Sequence, residues 1–344
     1  MNKLVSVITR TKNRAIFLPR VFETLVKQSY RPLEWIIVND NGEAIDNLLE
    51  ELKLQYDEQL DGIEIFLINK KVSTTMEAAT NAGLEHAHGF YIKILDDDDT
   101  LESTCIEKQV HYMEKEKLPG ERGVICYTQN IFEKIENDQI DLIDSSPLAL
   151  TLENITIADV AIGNQFTIHS FLYETDILKE IGTYNETFTV LGDWEFNLRF
   201  IIKFDIGVIP EFLANYHIRT EGIYSNTIVS QKSTHYRYEA VIRNHFMRNE
   251  KQYPHIGAMT SNAPSITRLQ QKLNTILQTI NSKDALIKDK EQQIQTRDIL
   301  IKAQEEQIKR LSDELTLIYT SKSWRYTGII RQLRQKLFNK KTNT

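Results

Sequence analysis

A seven-residue repeat near the C-terminus constrains this chain more than any other feature. Leu273, Ile280, Ile287, Ile294, Ile301, Ile308 and Leu315 recur without a miss. Seven residues are close to two helical turns, so the repeat lays one narrow apolar stripe along a very long helix. The companion seam positions are Leu269, Ile276, Lys283, Lys290, Arg297, Gln304, Leu311 and Ile318, apolar near both ends and polar in the middle. The pattern predicts a coiled coil over 266–320 that joins copies of the chain into a homo-oligomer. A solitary amphipathic helix packed on a neighbouring domain is the alternative, and the narrow stripe speaks against it. The polar middle fits a weaker seam, a hinge or a partner other than the chain itself. Before the repeat, 256–265 is rich in small polar residues around Pro264 and reads as a linker. A globular domain therefore has to come from 1–255.

That stretch alternates strand and helix patterns. Leu4–Ile8 is a β-rich run ending in Thr9-Arg10-Thr11-Lys12-Asn13-Arg14, and Phe17, Leu18, Val21, Phe22 and Leu25 follow at helical spacing. Pro32 ends this helix, and Leu33–Val38 is a second strand running into the turn Asn39-Asp40-Asn41-Gly42. A helix over 44–56, a strand over 63–68, a helix over 75–86 and a strand over 91–95 complete the alternation. Such an order predicts right-handed βαβ units and a mostly parallel sheet, whose ligands bind at the C-terminal ends of the strands. Further strands are expected at 124–132 and 166–173, separated by a polar, irregular stretch over 133–154.

Polar residues collect at those ends, and Tyr91–Leu95 runs directly into Asp96, Asp97, Asp98 and Asp99. Four like charges repel one another and suit neither strand nor helix. Clustered carboxylate oxygens suit Mn2+ or Mg2+, and such a cation can carry a diphosphate. A solvated acidic loop is the alternative for the quartet taken alone. Asp40 has its own alternative, as a turn-forming residue.

Charge and cysteine content narrow the class. The net charge of −7 over 344 residues argues against nucleic-acid binding. Seven Lys and Arg and no Asp or Glu lie in 321–344, and removing those seven charges leaves −14 on the remainder. Cys105 and Cys126 make no disulfide framework and read as buried thiols in a reducing compartment. The first residues are too short an apolar run for a signal peptide, and no stretch approaches the roughly 18 apolar residues of a membrane span. The expectation is a cytoplasmic protein, peripheral at the inner face of the cell membrane. Its tail carries Tyr326, Ile329, Ile330, Leu333 and Leu337 on one helical face, with basic residues and Trp324 beside them. That pattern predicts an anchor on anionic lipid, with a partner-docking helix as the alternative.

The run Val5–Arg14, then Val38-Asn39-Asp40-Asn41-Gly42, then Leu95–Asp99 resembles the family 2 glycosyltransferases. The resemblance implies an α/β domain of the GT-A fold, Rossmann-like with a mostly parallel central sheet. It also implies an inverting, metal-dependent transferase that uses a nucleotide-sugar donor and Mn2+ or Mg2+. By the same resemblance Asp40 contacts the donor base, Thr11 and Asn13 lie near the nucleoside, and Asn81 borders the donor pocket. Asp96 and Asp98 match the D-x-D positions, with Asp98 the more direct metal ligand. Ile181–Glu186 and Val190–Arg199 resemble the acceptor half of the family, which places Asp193 as the catalytic base and Glu195 as its substitute. Trp194 and His169 are candidates for the acceptor site, each with a packing role as the alternative. His217 matches a late metal or phosphate ligand, again with a structural alternative, and Arg219 is a candidate phosphate contact. Asp193 is equally a candidate N-cap.

Three positions depart from the family pattern: Arg10 stands for the usual Pro, Asn39 for an Asp, and Gly192 for the Glu that usually precedes Asp193. The implied acceptor is a glycan or lipid-linked glycan in bacterial surface polysaccharide assembly. The competing class is a coiled-coil scaffold or membrane-docking protein whose α/β domain only binds a nucleotide sugar. A nucleotidyltransferase is disfavoured by the lack of a Gly-rich, Arg-containing loop after the first strand.

Overall fold

The computed structural model describes residues 2–136, 139–148, 152–222, 224–226, 231–249, 251–253 and 256–341. They fall into two compact units, Met1–Ile266 and Thr267–Thr344.

The first unit is a mixed α/β domain. Strands β1 (Val5–Thr11), β2 (Leu33–Asn39), β3 (Ile63–Asn69) and β4 (Tyr91–Ile94) pair in parallel in the order β3-β2-β1-β4. The chain crosses between them through α1 (Leu18–Val26), α2 (Asp46–Gln55) and α3 (Met76–Leu84). Helix α3 begins where expected because the Thr75 hydroxyl accepts the amide of Ala78, a side-chain N-cap. Alternate residues of one strand face opposite sides of the sheet. Leu33, Trp35 and Ile37 join a core with α1 and α2, while Ile36 and Val38 join the other core with α3. Both faces of β1, β2 and β4 are covered, which is why they do not read as alternating strands, whereas β3 at the edge leaves Glu64 and Phe66 exposed.

The chain continues through β5 (Thr100–Leu101), α4 (Cys105–His111), β6 (Glu121–Glu136), β7 (Gln139–Pro147), α5 (Ile157–Ile162), β8 (Phe171–Glu174), α6 (Leu178–Ile181), α7 (Gly192–Lys203) and β9 (Asp205–Ile218). Among the described residues the sheet has nine strands, in the order β3-β2-β1-β4-β8-β6-β9-β5, with β7 paired to β6. Strand β8 is antiparallel to β4 and β6, whereas β9 runs parallel to β6. The irregular stretch expected over 133–154 is instead largely strand: β6 and β7 pair antiparallel from Gln129–Pro147 to Glu136–Gln139. Among the described residues strand β7 pairs with β6 alone, and it is mostly exposed, so it lacks the apolar alternation by which strands are recognised. The strand expected over 166–173 is shortened to β8, because Ile168–Ser170 forms a 3-10 turn first.

Residues 256–265, expected as a linker, are helical, at the start of a helix over Ile256–Thr320. Along it, the repeat residues Leu273, Ile280, Ile287, Ile294, Ile301, Ile308 and Leu315 are all exposed. The tail forms two helices rather than one, Lys322–Tyr326 and Gly328–Lys341. The Ser321 hydroxyl caps the first of them by accepting the Trp324 amide. The Leu337 side chain lies outside the described residues. Among the described residues, no helix is long and apolar enough to cross a membrane.

Candidate active site

Strand ends β1, β2 and β4 bring their polar residues to one rim of the sheet. The four aspartates after β4 separate there by orientation. Asp97 accepts the Thr11 hydroxyl at 2.7 Å and pairs with Arg14 at 3.0 Å, almost wholly buried. Burial pushes its carboxyl up to about 7; Arg14 opposes that rise and neighbouring Asp98 adds to it. Asp99 also points inward, accepting the His217 amide at 2.9 Å and lying 2.8 Å from His169 Nδ1. Asp96 is the most solvent-facing of the four, with 26% of its side chain exposed, and takes Arg10 Nε at 2.8 Å. Asp98 receives Arg14 and Arg219 on the same oxygen, and its backbone carbonyl accepts Arg20. Burial would raise its pKa, but the two guanidiniums outweigh this and hold it below the ordinary carboxylate range.

Glu133 completes this network from β6. One oxygen pairs with Arg20 at 2.8 Å and lies 2.9 Å from His217 Nδ1, and the other takes Arg219. Its position follows from the β6–β9 register, which pairs Ile131 with His217 and Phe132 with Ile218. The hydrogen bonds from His217 and Arg20 overcome burial and hold the Glu133 carboxyl down at about 2. His217 spends its other ring nitrogen on the Thr100 hydroxyl at 3.0 Å, so both nitrogens are used inside the protein.

The nucleoside candidates hold loops. Asp40 accepts the Thr74 amide at 2.9 Å, the Ser73 hydroxyl at 2.8 Å and the Thr74 hydroxyl at 3.0 Å, and pairs with Lys70 at 3.1 Å. These contacts offset burial, leave its pKa below the ordinary value and use the acceptor capacity of the carboxylate. Asn13, in a left-handed conformation at φ 54°, accepts the Glu43 amide at 2.8 Å. Asn39 donates to the Glu43 carbonyl and to Asn69 while accepting the Gly42 amide. An ionised Asp has no side-chain proton to donate, which gives this departure from the family pattern a local reason. Asn81 donates to the Tyr184 carbonyl and accepts its amide, at 2.8 and 3.0 Å, tying α3 to the turn before α7.

Asp193 lies in the first turn of α7, half-buried. It is not the N-cap: Leu191 holds that place, at φ 62°. One carboxylate oxygen accepts Asn164 Nδ2 at 2.6 Å and the other accepts the Trp194 amide at 2.8 Å. Burial raises its pKa; the Trp194 amide, Arg10 and Asn164 oppose the rise, and Asp96 adds to it. A raised pKa makes the carboxylate a stronger proton acceptor.

Three acceptor-side expectations are corrected. Trp194 is buried in the core and donates Nε1–H to the Val160 carbonyl at 2.7 Å, so its ring has no free face for a sugar. Glu195 is also buried and receives Arg199 through two bonds of 2.8 Å, which neutralises it as a substitute base. His169 sits buried against Asp99 rather than lining an open surface. Sequence reasoning also missed Arg14, Arg20, Glu133, Glu77 and Asn164. Only Arg14 carried a signal, its place in the motif after β1.

Among the described residues, no three His, Cys, Asp or Glu side chains are gathered as a metal cage. Asp96, at the solvent-facing rim, and Asp98, buried beside it under Arg14 and Arg219, nevertheless carry hard oxygen donors. Mg2+ at such sites is held by one or two carboxylates, with substrate phosphates and water as the other ligands. The donor set therefore fits a cation that arrives with a diphosphate.

A model of the family described as glycosyl transferase family 2 matches residues 6–161. An uncharacterized glycosyltransferase of Haemophilus influenzae is 28% identical, over 51% of this chain and 64% of its own length. One from Methanocaldococcus jannaschii is 31% identical, over 67% of this chain and 76% of its own length. A putative teichuronic acid biosynthesis glycosyltransferase, TuaG of Bacillus subtilis, is 23% identical over 71% and 91%. The fold matches the crystal structure of S. aureus TarS 1-349 in complex with UDP-GlcNAc, with TM-score 0.57, 16% identity, and 75% and 72% of the two chains covered.

Proposed function

The chain belongs to glycosyl transferase family 2, and on that footing we propose that it moves a sugar, with inversion, from a nucleotide-diphospho-sugar to a glycan or lipid-linked acceptor. The observation that carries this reading is Asp193 in the first turn of α7, its carboxylate oriented by Asn164 Nδ2 and the Trp194 amide, with burial raising its pKa and the charges of Arg10 on β1 and Asp96 after β4 acting on it. Asp193 takes the acceptor hydroxyl proton as the acceptor oxygen bonds to the anomeric carbon. The bond from that carbon to the diphosphate oxygen breaks, and the electron pair leaves with the nucleoside diphosphate. Asp96 and Asp98 would hold Mn2+ or Mg2+, whose chemistry there is to offset the charge developing on the leaving group. Arg14, a third exposed beside Asp97 and Asp98, would be the guanidinium that meets diphosphate oxygens, whereas Arg219 stays buried between Asp98 and Glu133. Thr11, Asn13 and Asp40 shape the nucleoside end through the loops they hold, and Asn81 fixes α3 against the turn that leads to Asp193.

A panel of nucleotide sugars, assayed for binding and turnover with and without Mn2+, tests this. At least one donor is expected to turn over, and chelating the cation should remove that activity. Binding without turnover across the panel would overturn the reading and leave the scaffold alternative, and absence of both would overturn the two together.

The likeness to a teichuronic acid biosynthesis enzyme supports surface polysaccharide assembly as the setting. We assign the basic tail to the membrane side of that setting and the exposed heptad stripe to self-association. Within the tail, Arg331 stacks 3.2 Å from the centre of the Trp324 ring, leaving Tyr326, Ile329, Ile330 and Leu333 exposed. Deleting 321–344 should abolish co-sedimentation with vesicles rich in anionic lipid and leave donor binding unchanged. Vesicle binding that survives the deletion would refute the anchor.

A further inference from the structure

Two of the departures from the family pattern, Arg10 and Gly192, meet around one side chain that no motif singled out. Glu77 lies in the first turn of α3 and is 2% exposed. Its Oε2 is buried with no hydrogen-bond partner among the described residues. A Cβ on residue 192 would lie 2.6 Å from Glu77 Cδ, and closer still to its Cγ and Oε1. Atoms do not approach that closely, so the Glu77 carboxyl fills the space into which a side chain at 192 would project. The charged groups that act on it are Arg10, Asp193 and Asp96. Arg10 itself is bonded to Asp96 and, at 3.0 Å, to the Thr80 hydroxyl one turn along α3 from Glu77.

We propose that Glu77 is a positioning residue for the Asp193 site: a carboxyl supplied from α3 into the place vacated at Gly192, whose charge, without a direct bond, favours the Arg10 guanidinium staying on Asp96 and Thr80. The inference rests on the reading of Asp193 as the base. A guanidinium free to pair fully with Asp193 would neutralise the group that must accept a proton. With Arg10 bonded to Asp96 and Thr80 and the Glu77 charge acting on it through space, Asp193 keeps its basicity. Gly192 is then required for space, because two carboxyl side chains cannot occupy one volume. The burial that lifts the Glu77 carboxyl to about 7 is the cost of placing it there.

The test exchanges the two positions. Glu77→Gln keeps the shape and removes the charge, and kcat is expected to fall about tenfold with donor KM within about twofold, as for a misplaced reacting group. Glu77→Ala and Gly192→Glu should each lose turnover alone. The double variant Glu77→Ala/Gly192→Glu, which returns a carboxyl to the same space from α7, should recover kcat above either single variant. Full kcat in Glu77→Gln, or a double variant no better than Glu77→Ala, overturns the proposal. Thermal unfolding of the parent, Glu77→Ala, Gly192→Glu and the double variant gives a readout independent of turnover. Gly192→Glu should lower Tm in the parent, and Glu77→Ala should relieve that loss, whereas additive losses would show that the two positions do not share space. A parent protein without any donor turnover would instead sink the glycosyl-transfer reading, and the unfolding cycle would still decide the spatial claim.

Discussion

Asp193→Asn is expected to lower kcat by about a thousandfold while leaving donor affinity within about twofold, since general base catalysis contributes on this scale. The substitution keeps the size of the side chain and an oxygen that can accept Asn164 Nδ2 or the Trp194 amide, the two bonds that orient the carboxylate now. What it removes is the ability to take the acceptor proton. Donor binding depends on other groups, at the β1, β2 and β4 ends. Steady-state kinetics beside donor titration separates the two effects, and a fully active Asp193→Asn protein would mean that another group is the base. Glu195 could not fill that role without giving up both of its bonds to Arg199.

The second large effect concerns stability. Glu133→Ala should destabilise the fold by about 3–5 kcal/mol, because it strips the shared partner from charged groups that stay buried. Arg219 and Glu133 are both nearly inaccessible, and Arg20 and His217 converge on the same carboxylate. In a unit spanning Met1–Ile266 that loss corresponds to a fall of roughly 5–9 °C in Tm. The acid limb of stability should change as well. Glu133 titrates at about 2 when folded and near 4.5 when unfolded. Its stabilisation is therefore complete above about pH 4.5 and is lost as pH falls towards 2. The variant should lose stability less steeply across that window. An unchanged Tm would mean that Arg219 and Arg20 find other partners, and the network would then carry no stability of its own.

These two predictions differ in how far the sequence could reach them. Asp193 was legible because a resemblance marked it, and its helix begins one residue before it, at Gly192. Glu133 was not legible: it sits where β6 meets an exposed edge strand, in a polar stretch with no apolar period to reveal it. Its importance arises from register, because β9 runs beside β6 and brings His217 and Arg219 level with it. The parallel strands β1 to β4 were readable for the opposite reason. Strands β1, β2 and β4 are buried on both faces and so are written as largely apolar runs ended by polar residues, while β3, at the sheet edge, still carries four apolar residues in a row.

By itself the sequence determined the alternation of strands and helices, the polar ends of β1, β2 and β4 on a common rim, and the long heptad helix with its basic tail. These follow from periodicity and chain order, which are local properties. Tertiary structure alone decided how the carboxylates divide their work. It turned Asp97 and Asp99 inward, set Asp98 between Arg14 and Arg219, buried Trp194, Glu195 and His169, and brought Glu77 against Gly192. The physical reason is that a charge is governed by what surrounds it. Burial, hydrogen bonds and facing guanidiniums come from residues distant in the chain, and no window of sequence contains them.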